Sequence, residues 1–213
     1  MRRHDSACAA AHGLTLPESA YTLQVVRAWV RCMVEAEEAA RSATVAEWDL
    51  TPDSLQSELQ DILTLAAARW RAPTASFTVV EGDRQFFPAR LGGDASQTPR
   101  RDAICACTVE ERGLLLSPDT REDPRLRSHP AVVGSPFVRF YAGVPLRPDD
   151  DAPVIGALCV WDTRPHPDFD DGDINLLWDL SALLLQRLQQ RPDRRRRGGL
   201  RTRPSVRGGD VLL

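Results

Sequence analysis

Apolar residues recur along this chain with two periods, and the switch between them divides it. From Tyr21 to Ala43 the spacing is helical: Leu23, Val26, Val30 and Met33 fall on one stripe with Trp29 beside them, while Glu35, Glu37, Glu38 and Arg41 make the far end polar. Leu55, Leu59, Ile62 and Ala66 repeat the 3.6-residue period, widened by Leu63 and Trp70. Thr51-Pro52 reads as an N-cap followed by proline at the first helical position, and Pro73 limits the helix. Beyond it the period shortens. Ala75 to Val80 predicts a strand, Glu81-Gly82-Asp83 a turn, and Gln85-Phe86-Phe87 the start of a paired strand. Residues 92–102 predict a loop and Leu114 to Ser117 a short strand. Asp119 to Pro136, rich in Pro, Asp and Arg, has room for one short helix at most. Phe137 to Leu146 and Val154 to Asp162 give the best strand patterns, joined by a turn at 148–151. Gly143 and Gly156 inside them mark bulges or close backbone approach. Asp170 or Asp171 caps a last helix whose stripe is Ile174, Leu177, Leu184 and Leu188.

This order predicts an α+β fold, an antiparallel sheet of about five to six strands flanked by helices. Phe77, Val79, Leu116, Leu158 and Val160 are its expected core. Residues 1–20 predict a disordered segment, 21–50 a helical extension, 51–190 the folded domain, and 191–213 a disordered arginine-rich tail.

With 213 residues, 42% hydrophobic and 27% charged, the chain carries one well-buried core. No run of 18 apolar residues occurs and no signal-peptide core follows Met1-Arg2-Arg3, so no membrane span is expected and the expected location is cytoplasmic. The five cysteines, at 8, 32, 105, 107 and 159, are then expected as reduced thiols. The net charge of −3 conceals an asymmetry: eight Arg and two Asp give residues 191–213 a charge of +6, leaving −9 elsewhere. No aromatic residue interleaves that tail, and nucleic acid is not an expected partner.

Five segments in order carry a resemblance. They are Asp83-Arg84-Gln85-Phe86-Phe87; Thr98-Pro99-Arg100 with Ile104-Cys105; Leu115 to Thr120 with Asp123-Pro124-Arg125; Val138 to Leu146; and Ile155 to Asp162. Over about residues 36 to 190 the chain resembles a GAF domain of the stand-alone bacterial signalling kind. It departs from the family at Cys107, where histidine is frequent, and at Leu126, where phenylalanine is usual. The resemblance implies a central antiparallel sheet flanked by helices, with a pocket between the sheet and the irregular segments on one face. It also implies a non-catalytic sensory or regulatory module that binds a small molecule or a signalling protein and acts in trans. A homodimer formed through the first and last helices is expected; the resemblance names no cofactor.

The candidate pocket residues are Phe77, Cys105, Asp119, Arg125, Phe140 and Cys159. Arg125 reads either as an anion receptor oriented by Asp119 or as half of a structural ion pair holding a loop. Alternation puts Phe140 and Tyr141 on opposite faces of their strand. The alternative function is a thiol-based redox sensor or GAF-type reductase using Cys105 and Cys107, close in sequence to Arg100 and Arg101, whose charge favours thiolate. The plainer reading makes Cys105 a small apolar filler. No metal is expected. His4, Cys8 and His12 share a helical face but lack a fourth ligand, and Asp168 to Asp173 fails the calcium-loop register, with Pro167, Phe169 and Trp178 at ligand positions. With no phosphate-cradling glycine loop and no Ser/His/Asp set in motif context, no enzymatic activity is expected.

Overall fold

The computed structural model describes residues 23–149 and 151–191. Five helices and six strands follow in the order α1 (Leu23–Glu47), α2 (Gln56–Trp70), β1 (Thr74–Glu81), β2 (Arg84–Leu91), β3 (Gln97–Pro99), a 3-10 turn (Arg100–Asp102), α3 (Ile104–Glu111), β4 (Leu115–Ser117), α4 (Pro130–Val133), β5 (Phe140–Leu146), β6 (Gly156–Asp162) and α5 (Asp171–Gln190). The strands form one antiparallel sheet in the order β3-β2-β1-β6-β5-β4.

Strand alternation sorts the side chains onto two faces. Ala75, Phe77 and Val79 of β1, Phe140, Ala142 and Val144 of β5, and Leu158 and Val160 of β6 join the main core. The stripe of α2 (Leu59, Ile62, Leu63, Ala66, Trp70) and that of α5 (Leu177, Leu180, Leu184, Leu188) cover this face. The intervening residues face α3 and the 118–138 segment, where Ile104, Cys105, Leu115, Leu126, Tyr141, Ala157 and Cys159 form a second buried cluster. A full capping box starts α5: Asp170 accepts from the Asp173 amide at 3.0 Å and Asp173 from the Asp170 amide at 3.2 Å.

Three local expectations change. Thr51 does not cap α2, which starts at Gln56. Residues 52–55 are instead tied to β2, the Asp53 amide donating to the Phe87 carbonyl and the Leu55 amide to the Pro88 carbonyl, both at 2.9 Å. The 92–102 loop contains β3 and the 3-10 turn. Leu116 is only partly buried, because β4 is the sheet edge and its neighbour lies on one side alone.

Helix α1 attaches by its C-terminal half. Val45 and Arg41 are buried there, and Arg41 Nε donates to the Val154 carbonyl at 2.7 Å. Glu38 accepts from the Gly82 amide at 2.6 Å and pairs with Arg100 at 3.1 Å. The other half leaves Val26, Trp29, Val30, Met33 and Val34 exposed. Among the described residues no helix is long and apolar enough to cross a membrane. The His4, Cys8, His12 set and the tail beyond Arg191 lie outside the described residues.

Candidate functional site: a buried thiol pair beneath a short helix

Helix α3 crosses the sheet face opposite the main core. It begins without a side-chain cap and ends at Arg112 in the left-handed conformation, φ 56°. Its eight residues hold their place by burial of Ile104, Cys105, Ala106, Thr108 and Val109 rather than by intrinsic helix stability. Cys105 and Thr108 are three apart, so both point from one side of the helix, here toward the sheet.

Beneath them lie the alternate residues of three strands. Cys105 Sγ stands 3.2 Å from Cys159 Sγ on β6, and Cys159 Sγ stands 3.3 Å from Ser76 Oγ on β1. Thr108 Oγ1 is 2.7 Å from the Tyr141 hydroxyl on β5. Thr78 Oγ1 donates to the Ala157 carbonyl at 3.3 Å. These groups are buried, so their polar atoms must find partners among themselves. The contact with Cys159, more than any other, holds the Cys105 thiol below the usual cysteine value, against the opposing cost of burial, and Tyr141 and Thr78 help. The same contact, followed by burial, pushes Cys159 well above that value. The contact thus separates the two thiols in acidity, with Cys105 the more acidic of the pair.

Cys107 does not join them. Two residues along a helix is a turn of about 200°, which points its side chain away from Cys105. It borders a cavity of about 650 Å³ with Arg100, Arg101, Glu110 and His129. Burial and the Glu110 charge push its thiol up. The structure thus brings Cys105 together with Cys159 and not with Cys107. Cys32 is disulfide-bonded, which corrects the expectation of reduced thiols throughout.

The six candidate pocket residues separate into three places. Cys105 and Cys159 share the thiol cluster. Phe77 and Phe140 belong to the main core on the opposite sheet face, where the Phe140 ring stacks on His166 with centroids 4.3 Å apart. Asp119 and Arg125 lie on the loop after β4 and have different partners. Arg139 Nε donates to Asp119 at 2.8 Å, whereas Arg125 pairs with Asp123 at 2.8 Å and Glu111 at 3.2 Å. Arg125 is thus half of a structural ion pair, as the second reading has it, but with Asp123 and Glu111 rather than Asp119; the Arg125 and Arg139 pairs hold down the carboxyls of Asp123 and Asp119. A cavity of about 470 Å³ lies beside both carboxylates and Ser117. Sequence reasoning missed Ser76 and Thr108 as members of the site and named Tyr141 only as one of two strand residues of which one faces inward. Period-two alternation carried the signal for Tyr141 and Cys159, but α3, which supplies Cys105 and Thr108, was not expected as a helix. Among the described residues no group of three or more His, Cys, Asp or Glu side chains is placed to hold a metal ion.

Comparison with known proteins sets this geometry in a family. The chain is 34% identical over 152 residues to a cyclic di-GMP phosphodiesterase of Pseudomonas aeruginosa, a match covering 71% of this chain and 26% of that protein. Its fold resembles a free methionine-R-sulfoxide reductase from Neisseria meningitidis, solved in complex with its substrate (TM-score 0.51, 20% identity, 70% of this chain and 84% of the other). It also resembles the GAF domain of an Acinetobacter phosphoenolpyruvate-protein phosphotransferase (TM-score 0.51, 16% identity, 72% and 93%). At such identities the two structures establish the fold. The chain spans about a quarter of the phosphodiesterase, whose activity is stated of that whole protein. The expectation of a purely non-catalytic module is nonetheless corrected, since the sequence relative carries an enzyme name. The GAF domain model matches residues 27–188, and the chain belongs to the GAF domain family.

Proposed function

We propose that this domain performs thiol redox chemistry, with Cys105 as the attacking sulfur and Cys159 as the one that resolves. The observation that carries this reading is the 3.2 Å contact between the two sulfurs. A disulfide needs about 2.05 Å, so closing it requires a movement of roughly 1 Å by a short helix without an N-terminal side-chain cap. The substrate class is a small oxygen donor. With a peroxide, the Cys105 thiolate takes the terminal oxygen to become sulfenic acid and an alcohol leaves. The Cys159 thiol then displaces water to give the disulfide. The sum is two thiols plus ROOH giving disulfide, ROH and H₂O. A sulfoxide gives disulfide, sulfide and H₂O in the same balance. Because both sulfurs are covered, the oxidant reaches them when α3 opens locally. The reaction requires a reductant that returns the Cys105–Cys159 disulfide to two thiols between turnovers.

The test is turnover. Reduced protein is given hydrogen peroxide or a small sulfoxide, and product and thiol content are followed. Wild type and Cys107→Ser are expected to convert substrate, Cys105→Ser to lose the reaction, and Cys159→Ser to stop at the sulfenic acid. Conversion by Cys105→Ser at the wild-type rate would overturn the reading.

The sequence relative favours a second reading, in which the same thiol state sets a cyclic di-GMP phosphodiesterase activity. Hydrolysis of cyclic di-GMP that differs between reduced and oxidised protein supports it; identical rates, or none in either state, refute it.

A further inference from the structure

We propose that α1 clasps α3 shut over the thiol pair through two ion pairs, Glu38 with Arg100 and Glu37 with Arg112, so that displacement of α1 controls access to Cys105. Its consequence for turnover rests on the thiol reading of the site; the clasp itself is a property of the reduced fold.

The two arginines bracket α3. Arg100 opens the 3-10 turn that leads into the helix, and Arg112 is the residue that ends it. Both reach α1. Arg100 Nη1 lies 3.1 Å from Glu38 Oε2, and Arg112 Nη2 lies 2.5 Å from Glu37 Oε2. Adjacent residues of a helix point about 100° apart, so the two neighbouring carboxylates serve different ends of α3. Arg100 also donates to the Glu110 carboxylate of α3 itself at 3.4 Å and to the Gly82 carbonyl at 3.1 Å. The Gly82 amide donates to Glu38 at 2.6 Å. Glu38, Gly82 and Arg100 thus close a ring of contacts between α1, the β1–β2 turn and the entry to α3.

The anchor of the clasp is buried. Arg41 is 4% exposed; it pairs with Glu38 at 2.5 Å and lies 3.7 Å from Glu37, and its Nε donates to the Val154 carbonyl at 2.7 Å. Val154 packs in one small cluster with Ala103, Ala106 and Val109. Arg41 therefore ties both carboxylates to the cluster on which α3 rests. The helix itself is eight residues long and starts without a side-chain cap, so tertiary contacts decide whether it stays down. Glu111 adds a tie to Arg125 at 3.2 Å, but at the C-terminal end. Cys105 lies in the first turn, at the end that Arg100 holds.

The experiment labels the reduced full chain with iodoacetamide and reads Cys105 by peptide mass spectrometry, beside hydrogen exchange of α2, α3 and α5. A covered thiol is labelled through its open state, so the rate reports the opening of α3. Arg100→Gln/Arg112→Gln is expected to speed Cys105 labelling roughly three- to tenfold, the loss of two ion pairs. Exchange in α3 is expected to quicken while α2 and α5 exchange as in wild type. Glu37→Gln, on the α1 side, is expected to match Arg112→Gln, and the two together to exceed neither, since each removes the same contact. A wild-type labelling rate in the double arginine variant overturns the proposal. Faster exchange in α2 and α5 as well, which marks a loss of global stability, overturns it too, as do additive effects of Glu37→Gln and Arg112→Gln. If the double variant does not fold, Arg112→Gln alone is read by the same criteria. Nothing in this test needs oxidation. Faster labelling in a protein that converts neither peroxide nor sulfoxide would sink the redox reading and leave the clasp standing, whereas conversion with an unmoved labelling rate would do the reverse.

Discussion

Tyr141 lies against Gly143, two residues along the same strand, with Tyr141 Cζ 2.8 Å from where a Cβ on residue 143 would be. The ring is 1% exposed and packs within the second buried cluster, which limits its room to retreat. Gly143→Ala is expected to cost about 1–3 kcal/mol as an overpacked core site. Urea unfolding checks it, and a midpoint equal to wild type would show that the ring has room to move.

Phe77 is fully buried on the opposite face of the sheet. Phe77→Ala is expected to cost about 3–5 kcal/mol in chemical denaturation. Because the ring does not touch the thiol cluster, the folded variant is expected to form the Cys105–Cys159 disulfide as wild type does. A stability loss near zero would contradict the β1 register.

Acid sensitivity has an identifiable source in the loop after β4. Arg139 and Arg125 hold the Asp119 and Asp123 carboxyls below their ordinary value. A carboxylate whose folded pKa is depressed adds stability that is present above its unfolded value, about 3.9, and is lost as pH falls through the folded value. Asp119→Asn is therefore expected to reduce stability at pH 7 and to flatten its decline below about pH 4. An unchanged slope of stability against pH in that range would remove Asp119 as a contributor.

A second copy of this chain is the partner proposed for the exposed half of α1. Val26, Trp29, Val30 and Met33 recur at helical spacing, and Met33 is 64% exposed. An apolar stripe of this kind marks an interface, and a two-fold dimer closes it. Light scattering is expected to give a dimer mass for the intact chain and a monomer for Val30→Glu/Met33→Glu. A monomer mass for the intact chain at micromolar concentration would defeat the proposal.

Most of the sheet was legible in the sequence, because β1, β5 and β6 alternate cleanly between a face built from Phe77, Phe140 and Leu158 and a face built from Ser76, Tyr141 and Cys159. Helix α3 was not. At eight residues it is too short to display a stripe, its residues are mostly buried, and it has no side-chain cap to announce its start. Without that helix nothing in the spacing relates Cys105 to Cys159, 54 positions apart, and the nearer Cys107 looks like the natural partner. The N-cap at Thr51 misled for a different reason: tertiary hydrogen bonds from Asp53 and Leu55 to β2 outweigh the local signal.

The most direct measurement is peptide mapping by mass spectrometry after one equivalent of hydrogen peroxide on the fully reduced protein. The expected product is an intramolecular disulfide between Cys105 and Cys159, with Cys107 unmodified. Oxidation confined to Cys107, or a Cys105–Cys107 disulfide in its place, would contradict the assignment of the buried pair as the reactive site.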